Sequence, residues 1–217
     1  MRTRVKICGL TRGEDIDAAV RAGADAIGFV FYEASKRYVE PEQARLLRSR
    51  VPAFVSVTAL FVNAAESRVR DVIEQVRPSL LQFHGDETPD YCAGFGLPYM
   101  RAFRLGGPGL DTPDAVLREC RRYASASAWL FDSYSSGYGG SGLAFDIGLL
   151  DQVRAAPDSR PMVVAGGLKP ESITELLGRI RPYAVDVSSG VETAPGIKSA
   201  EKIRAFMQAL RAVPENL

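Results

Sequence analysis

The chain has 217 residues, of which 46% are hydrophobic and 24% are charged, and its formal net charge is +1. So small a net charge gives no electrostatic footprint for nucleic acid or for a membrane surface, so neither partner is expected. Three cysteines are too few for a disulfide framework, and one histidine cannot make a zinc site, so no metal is expected. No apolar run approaches about 18 residues and the chain enters a strand directly, which predicts a cytoplasmic protein.

Strand-like apolar runs alternate with helix-like segments along the whole chain. The predicted strands are 5–8, 26–30, 54–62, 80–83, 99–103, 128–131, 162–164 and 184–187. The predicted helices are 13–22, 41–49, 64–76, 88–94, 112–123, 146–154, 170–178 and 199–212. Repeated strand–helix alternation is typical of a parallel sheet. The units predict a single-domain (β/α)8 TIM barrel over residues 1–217, with an open doubly wound sheet as the structural alternative.

Reactive side chains are concentrated where the predicted strands end. Cys8 ends the first strand, Arg37 follows the second, His84 ends the fourth and Asp132 ends the sixth. In a barrel of this type the active site lies at the carboxyl ends of the strands, so these side chains are expected around one pocket. Each has a structural alternative: a buried thiol, a solvated charge, a hydrogen-bonded rim histidine and a turn cap.

Loops bearing glycine follow the last three predicted strands. Their backbone N–H groups can approach an anion closely, and barrels of this type often bind phosphate after strands seven and eight. The candidate phosphate-binding residues are Gly140, Ser141, Gly142, Gly166, Gly167, Ser188, Ser189 and Gly190. A single glycine pair could be an ordinary helix cap, but three clusters favour a phosphorylated small molecule as the ligand.

The first strand carries a lysine and a thiol on one face. Alternation places Lys6 and Cys8 together on the inward side. A neighbouring cation favours the thiolate form of Cys8. Cys92 and Cys120 lie on predicted helices, and we interpret them as buried small hydrophobic residues. An unpaired buried lysine is costly, and in a closed barrel Asp186 on strand eight faces inward beside strand one. We therefore predict a Lys6–Asp186 ion pair beneath the thiol.

Several short motifs occur together in a fixed order. They are Lys6-Ile7-Cys8-Gly9-Leu10, Ser35-Lys36-Arg37-Tyr38-Val39, Leu81-Gln82-Phe83-His84-Gly85, Phe131-Asp132-Ser133, Gly139-Gly140-Ser141-Gly142, Ala165-Gly166-Gly167-Leu168 and Asp186-Val187-Ser188-Ser189-Gly190-Val191-Glu192. The combination closely resembles the phosphoribosylanthranilate isomerases of tryptophan biosynthesis, over roughly residues 4–210. The departures are small, the main one being Lys36 where that family usually has proline, in the loop that presents Arg37.

The resemblance implies an Amadori rearrangement that needs no cofactor. In that family's pattern Asp132 is the general acid that opens the ribose ring, and Cys8 is the general base that takes the C2′ proton. Arg37 would bind the anthranilate carboxylate, while His84 and Asp186 would orient the anthranilate or ribose side. A base at neutral pH further implies that the Cys8 thiolate is favoured. The oligomeric state, monomer or homodimer, is left open.

Two other functions remain compatible with the motifs. One is a different phosphosugar barrel enzyme, such as an epimerase or the related histidine-pathway isomerase. The single histidine argues against a metal-dependent epimerase, and a cysteine on strand one argues against a pair of catalytic aspartates. The other is a barrel that binds a phosphorylated metabolite as a sensor, which only turnover distinguishes from an enzyme.

Overall fold

In the computed structural model, which describes residues 2–134 and 146–213, eight parallel strands close into a barrel in sequence order. The strands are β1 (Arg4–Cys8), β2 (Ala26–Val30), β3 (Ser56–Phe61), β4 (Leu80–Phe83), β5 (Tyr99–Leu105), β6 (Ala128–Ser133), β7 (Met162–Val164) and β8 (Ala184–Val187). Pairing of β8 with β1 closes the sheet, with Lys6 opposite Asp186. The predicted TIM barrel is confirmed, and the open sheet is excluded.

Helices follow the strands around the outside of the barrel. They are α1 (Gly13–Ala22), α2 (Pro41–Arg48), α3 (Glu66–Val76), α4 (Pro89–Ala93), α5 (Pro113–Arg122), α6 (Asp151–Ala155), α7 (Ile173–Arg179) and α8 (Ala200–Arg211). Thr88, Thr112 and Ser199 cap their helices, because each side-chain oxygen accepts a backbone N–H from the first turn. Proline in the first turn of α2, α4 and α5 costs no helical hydrogen bond.

Several predicted boundaries were wrong. The third strand begins at Ser56, opposite the start of β2 at Ala26, and the preceding Phe54 is fully exposed rather than part of the sheet. The predicted helix 146–154 is a 3₁₀ turn (Ile147–Leu150) followed by α6, and the predicted helix 170–178 starts only at Ile173. Asp132 lies within β6 because β5 extends beside it and pairs Arg104 with it.

Side-chain alternation divides the barrel into an outer core and an inner column. Outward side chains such as Ile7, Phe29 and Trp129 are buried beneath the helices. The inner column has an apolar floor, which consists of Met100, Ala102, Ala128, Leu130, Val163, Ala165 and Ala184. Nearer the carboxyl ends of the strands the inward positions become polar, and this change creates the site.

A short hairpin between β8 and α8 was not predicted. Its strands are β9 (Glu192–Ala194) and β10 (Ile197–Lys198). The hairpin is tied to the start of α1, because Asp15 accepts the Lys198 N–H at 3.2 Å and Thr11 donates to the Gly196 carbonyl at 2.8 Å. Within residues 2–134 and 146–213, no helix is long and apolar enough to cross a membrane.

Candidate active site

One pocket opens at the carboxyl ends of the strands and collects most of the predicted site residues. Those that line it are Cys8, Arg37, His84, Asp132, Gly166, Gly167, Asp186, Ser188 and Ser189. Gly190 lies just behind the pocket wall, and the predicted phosphate-binding residues Gly140, Ser141 and Gly142 lie outside the described residues. No group of three metal-ligating side chains occurs in the described ranges. Most of the predicted site residues therefore meet at one pocket, and Gln82, which was not predicted, lines it as well.

The predicted ion pair beneath the thiol is confirmed. Lys6 Nζ donates to Asp186 Oδ2 at 2.8 Å, and both side chains are buried. Burial lowers the pKa of Lys6, but Asp186 and Cys8 together raise it by a larger amount. The pKa is therefore above its usual value, and the ammonium group stays charged. The second carboxylate oxygen, Asp186 Oδ1, is buried without a hydrogen bond to any described residue. Asp186 lines the pocket, so its carboxylate borders the space that a ligand would occupy.

The thiol of Cys8 differs from the sequence-based expectation. Burial raises its pKa, and Lys6 lowers it without offsetting the burial. The inference that the neighbouring lysine makes the thiolate favoured was therefore wrong. The reason is that Cys8 is only 6% exposed, so desolvation of the anion outweighs the attraction of one ammonium group already paired with Asp186.

Asp132 and His84 are neighbours in the pocket lining, and Gln82 contacts the other nitrogen of the imidazole. Gln82 Nε2 lies 3.1 Å from His84 Nδ1, and because an amide nitrogen can only donate, this contact is a hydrogen bond in the tautomer that has its ring proton on Nε2. His84 Nε2 is 3.3 Å from Asp132 Oδ2, but the contact lacks hydrogen-bond geometry. Asp132 Oδ1 accepts the Ser133 N–H at 2.8 Å, which fixes the carboxylate.

Arg37 holds a carboxylate of the protein itself. Its Nε and Nη2 donate to the two oxygens of Glu192 at 2.8 and 2.7 Å. Lys198 Nζ donates to Glu192 Oε1 at 2.7 Å from the other side. Burial raises the pKa of Glu192, but Arg37 and Lys198 together lower it below its usual value, so the carboxylate is ionised. The pairing of Arg37 with Glu192 was not predicted from the sequence.

The loops after β7 and β8 are in direct contact at the pocket edge. A side chain at Gly190 would clash with the carbonyl oxygen of Leu168, so only glycine lets these two loops approach. The side chain of Ser188 is held by other residues of the site. Its hydroxyl donates to the Cys8 carbonyl at 3.0 Å and accepts from Lys198 at 3.2 Å. That hydroxyl is therefore part of the scaffold, which leaves backbone groups and Ser189 for an anion.

The opposite wall of the pocket is apolar. Cys8, Val30, Leu60 and Val62 form a buried cluster, and Tyr32 packs against it. The pocket therefore has an apolar side at β2 and β3, a glycine-lined side at β7 and β8, and an arginine at its edge. Such polarity selects a ligand with an aromatic or aliphatic end and an anionic end.

Sequence reasoning missed three residues of this site: Gln82, Glu192 and Lys198. Gln82 could have been found by alternation. It lies on β4 two residues before His84, so the two side chains point to the same, inward side of the barrel. Glu192 is the final residue of the last recognised motif, but no role was assigned to it. Nothing in the sequence indicated that Lys198 would be buried, since its placement depends on the hairpin.

A closed (β/α)8 barrel with a thiol, a carboxylate and glycine-lined loops around one pocket at its mouth has the architecture of a barrel enzyme that acts on a small molecule. Comparison with known proteins identifies the family. Residues 5–209 match the family model described as N-(5′-phosphoribosyl)anthranilate (PRA) isomerase, and the chain belongs to that family. It is therefore an enzyme of the isomerase class.

Relatives of known name and solved structures agree with this assignment. The chain is 61% identical over 215 residues to the N-(5′-phosphoribosyl)anthranilate isomerase of Bordetella parapertussis, and the match covers 99% of both chains. The crystal structure of the phosphoribosyl anthranilate isomerase of Thermus thermophilus is 37% identical, covers 98% of this chain and 100% of its own, and superposes with a TM-score of 0.84. A further isomerase structure, 34% identical with a TM-score of 0.83, covers 96% of this chain and 98% of its own; it was solved in complex with reduced 1-(o-carboxyphenylamino)-1-deoxyribulose 5-phosphate.

Proposed function

We propose that the chain converts N-(5-phospho-β-D-ribosyl)anthranilate to 1-(2-carboxyphenylamino)-1-deoxy-D-ribulose 5-phosphate, an Amadori rearrangement in tryptophan biosynthesis. The observation that carries the mechanism is that Cys8 and Asp132, on β1 and β6, line the same pocket. A thiol and a carboxylate so placed can act on two different atoms of one bound sugar. The family relationship supports the choice of substrate.

Two proton transfers account for the reaction. Asp132 protonates the ribose ring oxygen, the C1′–O bond breaks, and the nitrogen lone pair forms the iminium ion of a Schiff base. Cys8 then removes the C2′ proton, and the electron pair moves into the C1′–C2′ bond to give an enolamine, which tautomerises to the ketone by protonation at C1′. Each general acid or base typically contributes about 10²–10⁴-fold to the rate. The iminium nitrogen is the electron sink, so no cofactor is required.

The polarity of the pocket supports one orientation of the substrate. The anthranilate ring fits the apolar wall of Val30, Leu60 and Val62, with its carboxylate at Arg37. The phosphate fits the glycine loops after β7 and β8, at the opposite side of the mouth. Gly140, Ser141 and Gly142 remain proposed contributors to the phosphate site.

His84 and Asp186 are proposed to bind the sugar between these two ends. The proton on His84 Nε2 faces Asp132 and can hydrogen-bond to it or to the ring oxygen. The unpaired Asp186 Oδ1 can accept a ribose hydroxyl. Both contacts would hold the reacting carbons between acid and base, where geometry has the largest effect on rate.

The state of the enzyme in the cell is part of the same proposal. We propose that residues 1–217 act as one catalytic domain in the cytoplasm, as a monomer or a homodimer. The phosphoribosyl anthranilate isomerase of Thermotoga maritima is described as dimeric. Sedimentation equilibrium at several concentrations measures the mass and decides between the two states.

Turnover of the proposed substrate is the direct test. Phosphoribosylanthranilate is generated in the cuvette, and the loss of its anthranilate-type fluorescence is followed with purified protein. We expect catalysed loss and a product of unchanged mass. A Bordetella parapertussis isomerase preparation serves as the positive control. Binding without turnover, under conditions where the control is active, would instead identify a sensor.

A further inference from the structure

Glu192 is a buried carboxylate that holds Arg37 at the pocket and that the proposed mechanism does not use. We propose that Glu192 is a positioning residue that fixes the guanidinium of Arg37 so that only one of its two hydrogen-bonding edges faces the substrate carboxylate. This inference rests on the proposed function, because it concerns the carboxylate-bearing end of that substrate.

The geometry of the guanidinium group carries the first step. An arginine has two edges, each able to bind a carboxylate through two parallel N–H groups. Glu192 occupies the edge formed by Nε and Nη2, at 2.8 and 2.7 Å. The edge formed by Nη1 and the second hydrogen of Nη2 makes no hydrogen bond to any described residue. That edge is therefore left for a ligand in the pocket that Arg37 lines.

Burial separates the roles of the charged groups. Lys198 and Glu192 side chains are 0% and 5% exposed, whereas Arg37 is 17% exposed. Neither Glu192 nor Lys198 lines the pocket. The carboxylate is thus sealed behind the arginine and cannot compete with substrate from the solvent side.

Charge balance explains why the arginine can still attract an anion. An Arg37–Glu192 pair alone would be neutral, but Lys198 contributes a second positive charge 2.7 Å from the same carboxylate. Burial lowers the pKa of Lys198, and Glu192 offsets only part of that shift, so the pKa stays below its usual value. With the three groups ionised the cluster has a net charge of +1, and Arg37 is the member of it that lines the pocket.

The stem of Arg37 is constrained as well as its head group. Gly9 has φ +75°, and a Cβ there would lie 2.5 Å from Arg37 Cδ, so the arginine passes directly over the glycine backbone. The guanidinium is therefore fixed between β1 on one side and the hairpin on the other. This fixation removes much of the entropy cost of ordering a long side chain when substrate binds.

The test compares steady-state kinetics of Glu192→Gln with those of the wild type. We expect KM for phosphoribosylanthranilate to rise about tenfold, with kcat changed by less than about threefold, because a ground-state contact is lost. Phosphoribosylaniline, which lacks the carboxylate, should show the same KM with both proteins. Glu192→Asp keeps the charge that Lys198 needs, so it provides a folded variant with a smaller rise in KM.

Asp15→Asn is the matched control. Asp15 holds the same hairpin through the Lys198 N–H but does not touch Arg37. If Asp15→Asn raises KM as much as Glu192→Gln, the effect is general loosening of the hairpin and the proposal fails. An unchanged or lower KM in Glu192→Gln also overturns it, since removal of a negative charge alone would attract the substrate.

A binding measurement separates this proposal from the proposed function. Calorimetry with reduced 1-(o-carboxyphenylamino)-1-deoxyribulose 5-phosphate, an analogue of the product, measures binding affinity whether or not the protein turns over the substrate. If the analogue binds more weakly to Glu192→Gln than to the wild type and equally well to Asp15→Asn, the result supports a positioning role for Glu192 even if catalysis is absent. If the analogue binds equally well to all three proteins while the wild type turns over normally, the positioning role of Glu192 is overturned and the proposed function is left intact.

Discussion

Lys6 and Asp186 form an ion pair across the seam where β1 and β8 close the barrel, with Nζ 2.8 Å from Oδ2 and both side chains buried. The pair lies on the inward face below the Cys8 thiol, where the apolar floor of the barrel gives way to the polar pocket. Its position therefore bears on both the stability of the barrel and the chemistry above it.

Breaking this pair should destabilise the protein strongly. Lys6→Met and Asp186→Asn each leave one buried charge without its partner, which typically costs about 3–5 kcal/mol in the free energy of unfolding. The double variant Lys6→Met/Asp186→Asn should cost less than the sum of the two single variants, because no charge remains unpaired. Urea unfolding measures all three. Arg121→Met, which breaks the exposed Arg121–Asp158 pair, is the control and should change stability little. Single variants as stable as this control would contradict the prediction.

The activity should depend on pH through the thiol of Cys8. The proposed base works only as a thiolate, and burial raises the pKa of Cys8 above its ordinary value of 9.0. In an Asp132→Asn background, where the proposed general acid no longer titrates, the residual kcat/KM, which reports groups of the free enzyme, should therefore keep increasing with pH beyond neutrality. A plateau already reached at neutral pH would contradict this sign.

Alkylation provides a second measure of the same pKa. Iodoacetamide labelling of Cys8, followed by mass spectrometry across pH, should give a midpoint above 9.0 that bound substrate analogue suppresses. Cys92 is the internal control, because burial raises its pKa to about 12 and it lies far from the pocket lining. Labelling of Cys8 that is complete at neutral pH would show a thiolate that the structure does not support.

The tautomer of His84 should be set by Gln82. The chain has a single histidine, so its ring ¹⁵N signals need no assignment. We expect the neutral ring to carry its proton on Nε2 in the wild type, because the Gln82 amide donates to Nδ1. Gln82→Glu offers only an acceptor and should move the proton to Nδ1, with a loss of kcat. A wild-type ring protonated on Nδ1 would refute this arrangement.

Gly190 should be required for the close approach of the loops after β7 and β8. Gly190→Ala places a methyl group against the Leu168 carbonyl, so the loops must separate and KM for the phosphorylated substrate should rise. Gly178→Ala is the matched control, because the added Cβ meets no atom within 4 Å inside α7. The control should stabilise the protein by about 0.5–1 kcal/mol through helix propensity. Equal KM values in both variants would argue against a phosphate site at these loops.

The sequence predicted those features that follow from periodicity. Strand–helix alternation gave the barrel, and alternation within β1 and β8, combined with closure, gave the Lys6–Asp186 pair. Features that depend on three-dimensional placement were missed. Arg37 and Glu192 are 155 residues apart, and their contact depends on a hairpin with no distinctive pattern. The direction of the Cys8 pKa shift was also missed, because the cost of burying a charge depends on exposure, which residue types alone do not give.

The central claim is that Cys8 and Asp132 divide the two proton transfers, and kcat of Cys8→Ala and Asp132→Asn tests it most directly. Each variant should lower kcat by at least about 10²-fold, while KM changes little because neither group binds the carboxylate or the phosphate. Circular dichroism should confirm that both variants are folded. Wild-type kcat retained in either folded variant would contradict the assignment of that residue, and retention in both would refute the mechanism.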